Sequence, residues 1–217
     1  MCNLYSIRKG PAAILDLARA MRNDAGNLAP GDIWPDDAAP VVRADANGER
    51  ILSRARWGMP SPAFALEGKK TDRGVTNIRN TRSPHWRRWL SAANRCLVPL
   101  TAFSEPGRNA EGRYEPVWFR LAGDDPEPLA FFAGVWTPRW TSVRKLKEGE
   151  VSADLFGFLT CEPNAEVAAV HPKAMPVILT ESSELELWMT APWEVAAELQ
   201  RPLPDGSLRR FEPTDQS

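Results

Sequence analysis

Cys2 stands directly after the initiator methionine of this 217-residue chain. A small residue there normally permits removal of that methionine, which leaves a thiol and a free α-amine on adjacent carbons. The amine, with an ordinary pKa of about 7.7–8.0, is substantially neutral near pH 7, which a lysine at about 10.4 is not. With an aldehyde the amine condenses to a Schiff base, and the thiol then closes on the same carbon to give a thiazolidine. No other position in a protein chain offers this 1,2-aminothiol. The plainer reading is that Cys2 is simply the second residue.

Three other segments carry groups that could assist such chemistry. Thr76-Asn77-Ile78-Arg79-Asn80-Thr81 is polar and follows Gly74. Arg95 to Pro106 is an apolar strand that ends in one carboxylate, Glu105. Val170 to Leu179 sets His171, one of only two histidines, ahead of another apolar strand. Each has an ordinary alternative: a turn asparagine at 77, a surface ion pair at Arg79, a loop-edge acid at Glu105, a structural histidine at 171.

These residues need short elements to hold them. Ile14, Leu17, Ala18 and Met21 follow the i, i+3, i+4, i+7 pattern and predict a helix over 11–22. A Pro- and Asp-rich loop, 27–37, comes next. Strands are expected at Pro40–Ala44, Arg50–Trp57, Cys96–Leu100, Pro116–Leu121, Leu129–Trp136, Leu155–Cys161 and Met175–Leu179, where β-branched and aromatic residues are bounded by Pro, Gly or Asp. Ser83-Pro84 reads as an N-cap and first helical position for a helix over 84–93, with Trp86, Trp89 and Leu90 on one face and His85 at its start. Two short helices, near 182–189 and 192–200, follow. The expected fold is a single α+β domain over 1–200, a curved, mostly antiparallel, barrel-like sheet flanked by short helices. A polar tail, 201–217, is expected to fray.

Composition narrows the classes. With 43% hydrophobic and 25% charged residues the chain is ordinary globular protein. No run of about 18 apolar residues predicts a membrane span, and the N-terminus lacks the order of a signal peptide. Three cysteines without a Cys-x-x-Cys pair argue against a disulfide framework and a zinc site, so a cytoplasmic protein without metal or cofactor is expected. Cys96 and Cys161, in apolar runs, read as buried and inert. Twenty prolines, against a usual share of about 5%, imply short elements. The formal net charge of −1 excludes a globally basic nucleic-acid binder. Yet between Lys69 and Arg95 eight Lys/Arg face one acid, Asp72, a net of +7. As one surface that segment would attract a polyanion; otherwise it is a solvated face balanced by neighbouring acids.

Taken together and in order, these segments resemble the SRAP (SOS response-associated peptidase) family of abasic-site processing proteins. That family opens with Met-Cys-Gly-Arg-aromatic and carries Asn-Ala-Arg-x-Glu-Thr, then Arg-Cys-Leu-x-Pro-x-x-x-Phe-x-Glu, then a His before x-Met-Pro-Val-Ile-Leu. Trp57-Gly58-Met59 is similar to its Trp-Gly-Leu. The resemblance spans residues 2 to about 190.

The resemblance implies a cofactor-free enzyme that senses an abasic site in single-stranded DNA and captures it as a thiazolidine on Cys2, shielding the strand. Asn77 would hold the N-terminal residue and the sugar, Glu105 would serve as acid/base, and His171 would shuttle protons in ring opening and reversal. Arg79 would contact phosphate. Lys69, Lys70, Arg82, Arg87 and Arg88 are further DNA-contact candidates from charge density, and Trp57 packs either against DNA or in the core. Departures are plain: Asn3-Leu4 replaces Gly-Arg, the glutamate before Thr81 is missing, and Pro106 follows Glu105. The expected partner is abasic single-stranded DNA, with the protein a monomer associated with the nucleoid when bound. Two other functions remain open: a cysteine peptidase or N-terminal-nucleophile amidohydrolase using Cys2 with His171, and a non-catalytic single-strand binder in which tryptophans stack and arginines grip phosphate.

Overall fold

The computed structural model describes residues 2–109 and 111–213. Strands occupy Leu4–Ile7 (β1), Arg22–Asn23 (β2), Gly31–Ile33 (β3), Ala38–Ala44 (β4), Arg50–Trp57 (β5), Asn77–Ile78 (β6) and Arg95–Leu100 (β7). They continue at Ala102–Arg108 (β8), Tyr114–Leu121 (β9), Ala130–Val143 (β10), Glu150–Cys161 (β11), Met175–Pro176 (β12), Ile178–Leu179 (β13) and Leu208–Phe211 (β14). The helices are Pro11–Ala18 (α1), Ala63–Leu66 (α2), Ala165–Ala168 (α3), Ser182–Thr190 (α4) and Trp193–Ala196 (α5).

Five strands close on themselves. β11 pairs β10, β10 pairs β7, β7 pairs β4 and β4 pairs β5, all antiparallel, and β5 returns to β11 in parallel at Leu155↔Arg56 and Phe156↔Trp57. The ring leaves these strands no unpaired edge where they meet, which removes the usual liability of a flat sheet. A second sheet, in the order β14-β9-β8-β1-β3, is antiparallel throughout. The expected α+β fold with a curved, barrel-like, mostly antiparallel sheet is therefore what the chain adopts.

Aromatic side chains join the two sheets. Tyr5 of β1 meets Trp57 of β5 edge-on at 5.2 Å and Phe132 of β10 at 5.4 Å, and Phe132 stacks on Phe158 of β11 at 4.2 Å. All four rings are fully buried. Such pairs add to their area burial and set the spacing between layers.

Several expectations are corrected. The first helix stops at Ala18, because Arg19 turns left-handed (φ 51°) and its N–H closes on Asp16 O; the chain then enters β2, and Met21 is exposed rather than core. The helix expected over 84–93 is instead two 3₁₀ turns, Arg87–Trp89 and Ala92–Asn94, with Ser91 extended between them. Trp86, Trp89 and Leu90 are nonetheless buried, so the apolar stripe is real although the helix is not. Met175–Leu179 divides at Val177, whose N–H goes to Leu159 O while Ile178 pairs the opposite neighbour, β10. β10 runs on to Val143 past a register shift between Thr137 and Trp140, and β11 starts early at Glu150. Leu208–Phe211 does not fray: it pairs β9 at Leu121 through Trp118.

Candidate active site

β1 and β8 run antiparallel with Leu4 opposite Ser104, which sets the residues just before β1 beside Glu105. Cys2 is completely buried, its Sγ 3.5 Å from Leu4 O. Burial pushes the thiol well above its ordinary pKa, and the negative charge of Glu105 pushes it further. Glu105 lies within β8 rather than at a strand end and is completely buried. Burial raises its carboxyl to about 7, opposed in part by the Cys2 backbone N–H. Near neutral pH it is thus half protonated, able to give or to take a proton.

His171 follows α3, whose N-cap Asn164 accepts from Val167 N at 3.2 Å. The Val167 carbonyl then takes the His171 N–H at 2.8 Å, which aims the loop. His171 Nδ1 lies 3.0 Å from Ala174 O and 3.2 Å from Glu105 Oε2. A carbonyl can only accept, so Nδ1 carries the hydrogen and Nε2 the lone pair. Burial lowers the histidine below its usual range, which keeps it neutral at pH 7. Both shifts favour the uncharged pair.

Asn77 comes from β6, held parallel to β11 by Asn77↔Phe158 and Ile78↔Leu159. Its Nδ2 donates to Cys2 O at 2.7 Å and to Thr76 Oγ1 at 2.9 Å. Its Oδ1 is buried with no hydrogen-bond partner, an acceptor held ready in the site. The structure therefore brings Cys2, Asn77, Glu105 and His171 together from four separate stretches of chain. Thr76, which fixes the Asn77 amide, and the Ala174 carbonyl, which fixes the His171 tautomer, were not anticipated. Thr76 could have been suspected from its place in the polar segment; a backbone carbonyl leaves no mark in a sequence.

The other expected contact residues divide. Arg79 pairs with Glu162 on the surface. Lys69, Lys70, Arg82, Arg87 and Arg88 are exposed. Of the two readings of Trp57 the structure takes the core one and not the DNA contact: it has no exposed surface, its Nε1 donates to Thr76 O at 3.2 Å, and it stacks on Phe158. It is a core residue that supports the segment bearing Asn77. His85 is packed against Trp86 and Trp89 and bonds Pro60 O through Nε2. Cys96 and Cys161 are buried, with thiol pKa values raised by burial, that of Cys161 to about 12. Among the described residues no group of three or more His, Cys, Asp or Glu could hold a metal ion, and no helix is long and apolar enough to cross a membrane.

The family model for SOS response associated peptidase (SRAP) matches residues 1–212. The chain belongs to the SRAP family. No curated protein matches it. Among solved structures, a SRAP-like fold is shared with a protein from Bordetella bronchiseptica, 23% identical with a TM-score of 0.71, over 97% of this chain and 100% of that one. A protein from Bacteroides thetaiotaomicron has 18% identity and a TM-score of 0.71, over 100% of this chain and 95% of that one. A phage-related protein, also from B. bronchiseptica, has 18% identity and a TM-score of 0.66, over 97% and 93%. At these identities the likeness is one of fold. Membership supports an SOS-associated, peptidase-like domain.

Proposed function

We propose that this SRAP protein captures abasic sites in single-stranded DNA covalently, through the α-amine and thiol of Cys2 after removal of Met1. The observation that carries the reading is the Cys2 backbone nitrogen facing a Glu105 carboxyl poised near pH 7, with His171 on the same carboxylate.

The steps balance without an oxidant or a metal. The neutral amine attacks C1′ of the ring-opened sugar and gives a carbinolamine. Protonated Glu105 gives its proton to the departing hydroxyl, which leaves as water and yields the imine. Sγ then adds to C1′; the thiol proton ends on the ring nitrogen, with Glu105 and His171 as carriers. The product is protein plus DNA less one water. Asn77 holds the Cys2 carbonyl, so amine and thiol meet the carbonyl carbon in a fixed geometry.

The raised thiol pKa favours this over the peptidase reading. A cysteine peptidase needs a depressed thiol pKa and a base on the sulfur. Here Cys2 sits beside a carboxylate, and His171 turns Nδ1 to Glu105 and Ala174. In the capture reaction the amine attacks first and the thiol follows within the same molecule, so no thiolate is required in advance.

Purified protein mixed with a single-stranded oligonucleotide bearing one abasic site is expected to give a band stable to denaturation. Its mass should equal protein without Met1 plus DNA minus water, and mapping should locate the link at Cys2. Cys2→Ala should give none. An undiminished band from Cys2→Ala, or no band from wild type lacking Met1, would falsify the reading.

A further inference from the structure

Arg95, which heads β7, is completely buried. Its guanidinium donates through Nη2 to the Ala191 carbonyl and lies 5.4 Å from the Trp188 ring. Nε and Nη1 are buried with no hydrogen-bond partner. Burial holds the group down, at about 10, so Arg95 remains a cation at neutral pH, and among the described residues no carboxylate pairs with it. A charge so placed is costly unless something pairs with it.

Ala191 is also part of the wall of a cavity of about 750 Å³. Arg82, Arg87, Ser91 and Trp193 line it too, and Glu194 is the one acid among its lining residues. Arg82 and Arg87 are exposed. Trp193 is half-buried, its ring braced 6.2 Å from that of Trp188. The volume falls in the range of small-ligand sites, roughly 300–1,000 Å³. Cations on the rim, one cation behind the wall and an indole on the side form a combination suited to a phosphate joined to a base.

We propose that this cavity is a nucleoside-phosphate site. Arg82 and Arg87 grip the phosphate, Arg95 supplies compensating charge from behind Ala191, and the base lies on Trp193. Resting on the capture reading, the site takes nucleotides that flank the lesion. Thr81 and Arg82 follow Asn77 by four and five residues, so Thr81 is at most about 14 Å from Asn77. The same chemistry would accept a free nucleotide, and the test separates the two sources.

Binding is measured with the full-length Cys2→Ala protein, so that affinity is read apart from capture. The probes are a labelled undamaged single-stranded oligonucleotide, AMP and inorganic phosphate. The Arg82→Ala/Arg87→Ala change is at exposed positions and is expected to leave the melting curve unchanged. If the strand is the ligand, this double change weakens oligonucleotide binding by at least ~10-fold and lowers the slope of log K against log salt by about 1.4. If free nucleotide is the ligand, AMP quenches tryptophan fluorescence, the double change abolishes that quench, and oligonucleotide binding is untouched. In either case Trp193→Leu removes the base-dependent part, and the Arg95 Nε–H resonance moves on binding. The site is refuted by unchanged oligonucleotide affinity and slope together with no AMP quench. It is equally refuted by inorganic phosphate binding as tightly as AMP. Failure of wild-type protein to crosslink would defeat the capture reading alone, because none of these measurements uses it.

Discussion

Glu105 is where burial and chemistry conflict. Its carboxyl titrates at about 7 in the fold and near 4.5 when free, so the folded state prefers it protonated. Below about pH 4.5 it is protonated folded or unfolded and costs nothing. As pH rises toward and through 7 the folded protein must ionise a buried acid, and stability falls, by about 3 kcal/mol at the limit. Glu105→Gln is therefore expected to match wild type in urea melts at pH 4 and to exceed it by up to about 3 kcal/mol at pH 8. Equal stability at both pH values would contradict this. In the proposed capture reaction the same residue shapes the rate. Dehydration of the carbinolamine needs protonated Glu105, which is lost above about 7, while attack needs the neutral amine, gained toward about 8. Capture by wild type should pass through a maximum between those values in single-turnover gels. Glu105→Gln should be slower by about 10²–10⁴-fold and lack the alkaline fall.

The elements that hold these groups were unevenly legible. Arg50–Trp57 could be read to the residue because a turn precedes it and Gly58 follows it. The strand Leu4–Ile7, which sets Cys2 beside Glu105, was missed: four residues next to a terminus show no period by themselves, and only pairing with Ala102–Ser104 makes them a strand. Asn77–Ile78 was visible as a polar motif but not as a strand, since its partner Phe158–Leu159 lies 81 residues on. Trp86 and Trp89 are legible as one apolar face, and that face is buried, yet the helix expected to carry it gives way to 3₁₀ turns. Glu105 reads as a strand-end acid because nothing in its own segment reveals that its strand runs on to Arg108 or that His171 lies against its carboxyl. Gly157 illustrates such hidden support. A Cβ there would stand 3.0 Å from Val75 O and 3.3 Å from Thr76 O, the backbone leading into Asn77. Gly157→Ala should cost about 1–3 kcal/mol in a urea melt and slow capture, because the strain falls on the segment that presents the amide. Gly10→Ala, where a Cβ meets nothing within 4 Å, should change neither.

No single sheet owns the site. Glu105 and the strand after Cys2 belong to the five-stranded sheet, while Asn77 hangs on the barrel strand β11 and Ala174, which fixes His171, precedes β12 on the same barrel strand. The sheets meet through Tyr5, Trp57, Phe132 and Phe158, a cluster with no exposed ring. The proposed capture therefore requires both halves folded and docked, and the docking rests on apolar contact that urea weakens together with the rest of the core. Phe158→Ala removes a ring touching three others and should cost about 3–5 kcal/mol. In that variant and in wild type, capture and far-UV circular dichroism should be lost at the same urea concentration, with the variant's midpoint lower. If capture vanished well before the circular dichroism changed, the sheets would separate while each stayed folded, and the aromatic cluster would be a hinge rather than the seam of one cooperative core.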